Sequence, residues 1–183
     1  IDPYNYYSYA AMLFQIVARY GSNKDIDPDL IQVADGQEKK IGLGVMKALE
    51  PLNEPDGTWL GRIPYYTPFE HAAFLSMCYD GHEGKYKNVG VKQADPNFMM
   101  SMSGGAGLHY GRLRAMQFWC KYNRKDGKLP FDVINAHCYC GKKLDEEGFA
   151  KYGNVNLEDR GDQGQAVWVG ISPEEGNIAS AFD

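Results

Sequence analysis

Leu49-Glu50-Pro51-Leu52-Asn53-Glu54-Pro55-Asp56-Gly57-Thr58-Trp59 joins an apolar run to a rigid polar turn. The run before it, Ile41 to Glu50, carries Val45, Met46, Ala48 and Leu49 broken by one Lys. Pro51 and Pro55 follow too closely for a helix, so the spacing predicts a buried strand. The turn after it cannot be regular helix or central strand. Polar groups gathered just past a buried strand are where α/β folds place chemistry.

Two later stretches repeat the pattern. Phe98-Met99-Met100-Ser101-Met102 reads as a short apolar strand that ends in the turn Ser103-Gly104-Gly105. Phe131-Asp132-Val133-Ile134-Asn135-Ala136-His137 reads as a third, with polar residues near its end. Helices lie between them. Thr67-Pro68-Phe69-Glu70 is a capping box with Pro at the first helical position, and the helix should run to about Tyr79. Leu108, Ala115, Met116 and Trp119 give a helical face up to Tyr122. Upstream, Asp2-Pro3 opens a helix over 4 to 20, with Tyr4, Tyr7, Ala11, Phe14 and Ala18 on one face and Gly21 as its stop. Residues 22 to 40 are charged and turn-rich, and read as a long loop. Helices alternating with short strands imply parallel βαβ units. A barrel or a doubly wound sheet fits this order. No GxGxxG or GxxxxGK[ST] follows any strand, which weakens nucleotide-binding versions.

Composition excludes several classes. The 183 residues carry 19 basic and 24 acidic side chains, a formal charge of −5, so no basic nucleic-acid surface is expected. No apolar run approaches the roughly 20 residues a membrane-spanning helix needs. Aromatic residues at 13% without net positive charge suit a cleft for a neutral polar ligand. Cys78, Cys120, Cys138 and Cys140 form no CxxC pair. They read as buried or loop thiols; His137 beside Cys138-x-Cys140 is a weak metal signal, and a pairing cannot be read from spacing. No cofactor is expected. Residues 141–171 are Gly-rich and charged and read as one long functional or mobile loop. Ser172-Pro173-Glu174-Glu175 announces a further helix. Residues 1–183 therefore read as a single fragment of a longer protein.

Asn53-Glu54-Pro55 carries the most chemistry. A carboxyl at the end of a buried strand can have its pKa raised by apolar surroundings and donate a proton near neutral pH. The neighbouring Asn offers a donor and an acceptor to a hydroxyl-rich ligand. With His137-x-Tyr139 after a later strand, the combination resembles the retaining glycoside hydrolases of the large (β/α)8-barrel clan, which includes cellulase, mannanase and xylosidase families. The resemblance spans residues 4 to 140. It implies a partial (β/α)8 TIM barrel, about strands 4 to 6 with flanking helices, with Phe98 to Gly104 as the fifth strand. It implies Glu54 as general acid/base and Asn53 as a sugar ligand. His137 and Tyr139 would line the site, and Trp59 and Trp168 would stack on sugar rings. Trp59 is equally well read as a core or loop anchor, and His137 as a buried, satisfied histidine. Glu50 is expected to be structural, since Pro51 interrupts the strand alternation between it and Glu54. The partner would be an oligosaccharide or polysaccharide, and the location extracellular or periplasmic.

The same resemblance sets a limit. Retention needs a second carboxylate about 5 Å from the first. In the clan it lies on the seventh strand, and Glu174 and Glu175, at a helix start, are poor candidates. The 183-residue chain alone is therefore expected to be inactive. Three other readings remain. A binding or structural protein derived from such a barrel would keep the cleft and lose the nucleophile. A different α/β hydrolase would use Asp132 or His109, although no GxSxG is present. A self-associating chain would cover open sheet edges.

Overall fold

The computed structural model describes residues 1–57, 61, 63–106 and 109–137. A short 3-10 turn, Pro3–Tyr6, leads into α1, Tyr7–Tyr20, and the Asp2 carboxylate caps the turn by accepting from the Tyr4 N–H at 2.9 Å. The buried face of α1 is Ala10, Leu13, Phe14, Val17 and Ala18. Tyr4 and Tyr7, assigned to that face by their spacing, are exposed. Their rings pack on Tyr86 at the outer edge, with centroids 5.4 and 6.3 Å apart. The long loop contains a second 3-10 turn, Pro28–Leu30.

The strand expected over Ile41 to Glu50 is shorter than its apolar run. Residues 42–46 wrap the end of α1 instead. The N–H groups of Gly42, Leu43, Gly44, Val45 and Met46 reach the carbonyls of Ala18, Arg19, Gly21 and Tyr20. Gly42 and Gly44 stand at φ +61° and +68°, a conformation glycine adopts without strain. The segment thus satisfies carbonyls that the last turn of α1 leaves open. Pairing begins afterwards, at β1, Ala48–Leu49.

Helix α2, Pro68–Gly84, starts where the capping box predicts. The Glu70 N–H meets Thr67 Oγ1 at 3.2 Å, and the Thr67 N–H meets Glu70 Oε2 at 2.8 Å. Its regular part stops after Tyr79, as expected, and Gly81, His82 and Glu83 turn with positive φ. Every residue from His71 to Cys78 is buried, because α2 packs against α1, the short α3 (Val91–Ala94) and α4 (Tyr110–Asn123) at once. A helix apolar on all sides belongs in the core. Helix α4 buries Leu113, Met116, Trp119 and Cys120, so Ala115 sits at the edge of its inner face rather than on it. Helix α3 ends at Ala94, with Asp95 as its C-cap. Asp95 itself is buried. Burial opposes its charge, but hydrogen bonds from Ser22, Asn23 and Asn97 outweigh that and hold its pKa below the usual range.

Strand β1 pairs in parallel with β2, Met99–Met100, in the register Ala48↔Met99 and Leu49↔Met100. The pairing continues as the parallel bridge Asn53↔Gly104. Residues 131–137 lie parallel on the other side, through Ser101↔Val133 and Gly105↔Ala136. Three adjoining parallel stretches thus run in chain order, with α2 and α3 between the first two and α4 between the last two. Their C-terminal ends, Glu54, Gly105 and His137, meet at one side. From Ser101 to Gly105 the middle stretch has one residue more than its partner from Val133 to Ala136. Ser103, buried and at φ +82°, lies within this bulge.

The opposite end is tied by Asp132. It accepts from Tyr79 Oη at 2.9 Å and the Met100 N–H at 2.8 Å, and pairs with Lys92 at 2.9 Å. Cys78 and Cys120 are free, buried thiols, and burial raises the pKa of both. Cys138, Cys140, residues 141–171 and the helix start at Ser172 lie outside the described residues. Among those described, no helix is long and apolar enough to cross a membrane.

Candidate active site

Glu54 reaches the end of its strand in a left-handed conformation, φ +46°. A non-glycine residue there costs about 1 kcal/mol or more, so its surroundings must impose it. They do so from both sides. The Glu54 N–H donates to the Gly104 carbonyl at 2.7 Å, and its own carbonyl accepts from the Gly57 N–H at 2.9 Å. Tyr9 Oη donates to the Pro51 carbonyl and fixes the turn to α1. Asp56 Oδ1 accepts from the Ala106 N–H at 2.9 Å, locking the turn to the next strand end.

The result is a carboxylate with only 11% of its side chain exposed, aimed at the third strand. There Glu54 Oε1 lies 2.8 Å from His137 Nδ1, a contact between residues 83 apart in the chain. The His137 backbone is held in turn, its N–H donating to the Gly105 carbonyl at 2.7 Å.

Glu50, expected to be structural, stands beside this pair. Glu50 Oε1 lies 3.9 Å from His137 Nε2, and Glu50 Oε2 accepts from Asn135 Nδ2. Gly104 makes the gathering possible. Its φ is not in the left-handed range, but a Cβ there would collide with the His137 ring and approach Glu50 Oε1 to 2.6 Å. The space, not the conformation, requires glycine. Gly104→Ala should therefore push the His137 ring away from Glu54 at a small cost, about 1 kcal/mol, because the atoms it meets are ends of part-exposed side chains. A fall in melting temperature with a shifted His137 ring signal checks this; an unchanged ring environment contradicts it.

A second layer backs Glu54. Pro55 O accepts from the Tyr66 N–H at 2.7 Å, and Tyr66 O accepts from Arg112 Nη2 at 2.8 Å. The same Nη2 lies 3.2 Å from His71 Nδ1. Arg can only donate, so Nδ1 accepts and the His71 proton sits on Nε2. That nitrogen faces Ser103 Oγ at 3.3 Å, beside Gly104. Burial first, then the Arg112 charge, push the His71 pKa down to about 3. The unfolded chain titrates this group near 6.5 and so binds a proton the folded one refuses. Stability should fall as pH drops from 6.5 towards 3, by up to roughly 1.4 kcal/mol per unit from this group. Denaturant unfolding against pH should show that slope, and His71→Gln should flatten it; an equal slope in both proteins contradicts the assignment.

Asn53 is exposed at the same strand end, one residue before Glu54. Trp59, Tyr139 and Trp168 lie outside the described residues. His109, one alternative catalytic residue, is exposed and 3.9 Å from Asp56 Oδ2; Asp132, the other, sits at the far end of the sheet with Lys92. Glu50, Asn135 and Gly104 are the site residues that sequence reasoning missed. A signal existed for the first two. Glu50 is four residues from Glu54, and Asn135 two from His137, spacings that share a strand face. Among the described residues no group of three or more His, Cys, Asp and Glu side chains could hold a metal ion. Comparison of the chain with protein-family models, curated proteins and solved structures finds no match in any of the three.

Proposed function

We propose that this strand end is the acid/base half of a retaining glycoside hydrolase acting on an oligosaccharide or polysaccharide. The observation that carries the reading is the nearly buried Glu54 carboxyl at a strand's C-terminal end, hydrogen-bonded at 2.8 Å to His137. Such a carboxyl can protonate the glycosidic oxygen as the bond to the leaving sugar breaks. As a carboxylate it can then take a proton from the water that releases the glycosyl group. His137 steadies Glu54 in both states. Asn53, exposed beside it, is placed to hold a sugar hydroxyl. Trp59, Tyr139 and Trp168 complete the reading as sugar-facing residues.

The fold reading that accompanies it is a partial (β/α)8 barrel. Three parallel stretches adjoining in chain order, with helices between them, are the arrangement consecutive strands of such a barrel would have, and their numbering as strands 4 to 6 comes from the resemblance alone. The nucleophilic carboxylate is expected from a further strand outside the described residues, and export from the cytoplasm accompanies a polysaccharide substrate. The test is release of reducing sugar from a panel of plant and microbial polysaccharides, with the anomeric form of the first product read by NMR. Release with retained configuration is the expected result. Binding without release across the panel would instead make this a carbohydrate-binding relative.

A further inference from the structure

We infer that Glu50 is a positioning residue for the Glu54–His137 pair: its carboxylate, anchored by Asn135, faces the Nε2 edge of His137 and holds the ring so that Nδ1 meets Glu54. The inference rests on the reading of Glu54 as acid/base.

Three observations carry it. The two carboxylates address opposite nitrogens of one ring, Glu54 Oε1 at 2.8 Å from Nδ1 and Glu50 Oε1 at 3.9 Å from Nε2. Glu50 is not free to swing away, because its other oxygen accepts from Asn135 Nδ2, two residues before His137. And Gly104 leaves the space that lets the carboxylate and the ring approach each other. At 3.9 Å the Glu50 contact is longer than a hydrogen bond and acts mainly through charge. A negative charge facing Nε2 favours the ring form in which both nitrogens donate, Nδ1 towards Glu54.

The other ionisable groups around the strand ends compete little. Asp56 is engaged by the Ala106 N–H and faces His109. Behind the strands, Arg112 from α4 is directed at Tyr66 O and His71, and His71 from α2 stays neutral.

The test compares the full-length protein with Glu50→Gln, which keeps the shape and removes the charge, and Glu50→Asp, which keeps the charge. Two readouts are taken: the 15N signals of the His137 ring against pH, and the pH profile of kcat/KM. In Glu50→Gln the ring should lose its second proton at lower pH than in the parent. The alkaline limb of the profile should move the same way. Glu50→Asp should recover most of the shift. If Glu50→Gln does not fold, Asn135→Ala releases the same carboxylate and should give a smaller shift in the same direction. Asn135 Oδ1 is buried without a hydrogen-bond partner, so its loss costs little. Ring curves that superimpose in parent and variant overturn the inference. The ring readout needs no turnover, so it still decides the role of Glu50 if Glu54→Gln leaves hydrolysis intact and the glycosidase reading falls.

Discussion

On the reading of Glu54 as acid/base, Glu54→Gln should lower turnover of unactivated glycosidic linkages by roughly 100- to 10,000-fold, the range that general acid–base catalysis supplies. Substrate affinity changes little. The amide keeps the size of the carboxyl and can still hydrogen-bond His137 Nδ1, so the left-handed turn at φ +46° and its bond to Gly104 O survive. What disappears is the proton that the leaving oxygen must receive. The high-pH limb of the kcat/KM profile, which reports loss of that proton, should vanish with it. Unchanged turnover would remove Glu54 from the chemistry.

Arg124→Ala has the largest expected effect on stability, about 3 kcal/mol. The guanidinium is 2% exposed and forms a fork with Asp80, Nη2 to Oδ2 at 2.8 Å and Nη1 to Oδ1 at 3.1 Å. It also meets Asp126 through Nε at 3.0 Å and Ser76 Oγ through Nη1 at 2.8 Å. Burial opposes its charge, but these carboxylates raise its pKa well above the ordinary value. They tie the end of α4 to the turn where α2 breaks. Removing Arg124 leaves Asp80 and Asp126 facing each other with no cation between them. Both carboxylates reach solvent in part, which keeps the cost near the low end for a broken buried pair. Arg124→Lys should recover only part of the loss, since an ammonium cannot form the fork. Urea unfolding checks both variants; a loss below about 1 kcal/mol for Arg124→Ala would contradict the account.

Local signals in the sequence located the helices well. The Asp2 cap, the Thr67–Glu70 box and the stop after Tyr79 stand where side-chain chemistry alone puts them. The first strand was harder to read. Its apolar run includes residues 42–46, whose hydrogen bonds go to α1, a tertiary choice that no local pattern encodes. The Tyr-rich face of α1 misled for a related reason: Tyr4 and Tyr7 are apolar enough to match a helical stripe, yet they pack on Tyr86 at the surface.

The candidate site was legible where one strand carries the signal and illegible where two must meet. Asn53-Glu54-Pro55 marks itself by composition. Its pairing with His137 depends on the register of three stretches, and the bulge around Ser103 shifts that register by one residue. Glu50 was set aside because Pro51 interrupts the alternation. In the structure Asn53↔Gly104 keeps the offset of Ala48↔Met99, so the proline changes no register and Glu50 stays with the site. Gly104 offered no sign of its role, because what its missing Cβ avoids is a collision with side chains from two other stretches, Glu50 and His137.

The most direct measurement is the action of Glu54→Gln on an aryl glycoside whose phenol leaves without protonation, with and without azide. If Glu54 is the acid/base, bond cleavage needs no acid on this substrate, so a burst of phenol appears and then stalls for lack of a base. Azide, which needs no base, restores turnover and yields a glycosyl azide of retained configuration. A variant that turns over natural and activated substrates alike, or one that azide fails to accelerate, would contradict the assignment of Glu54.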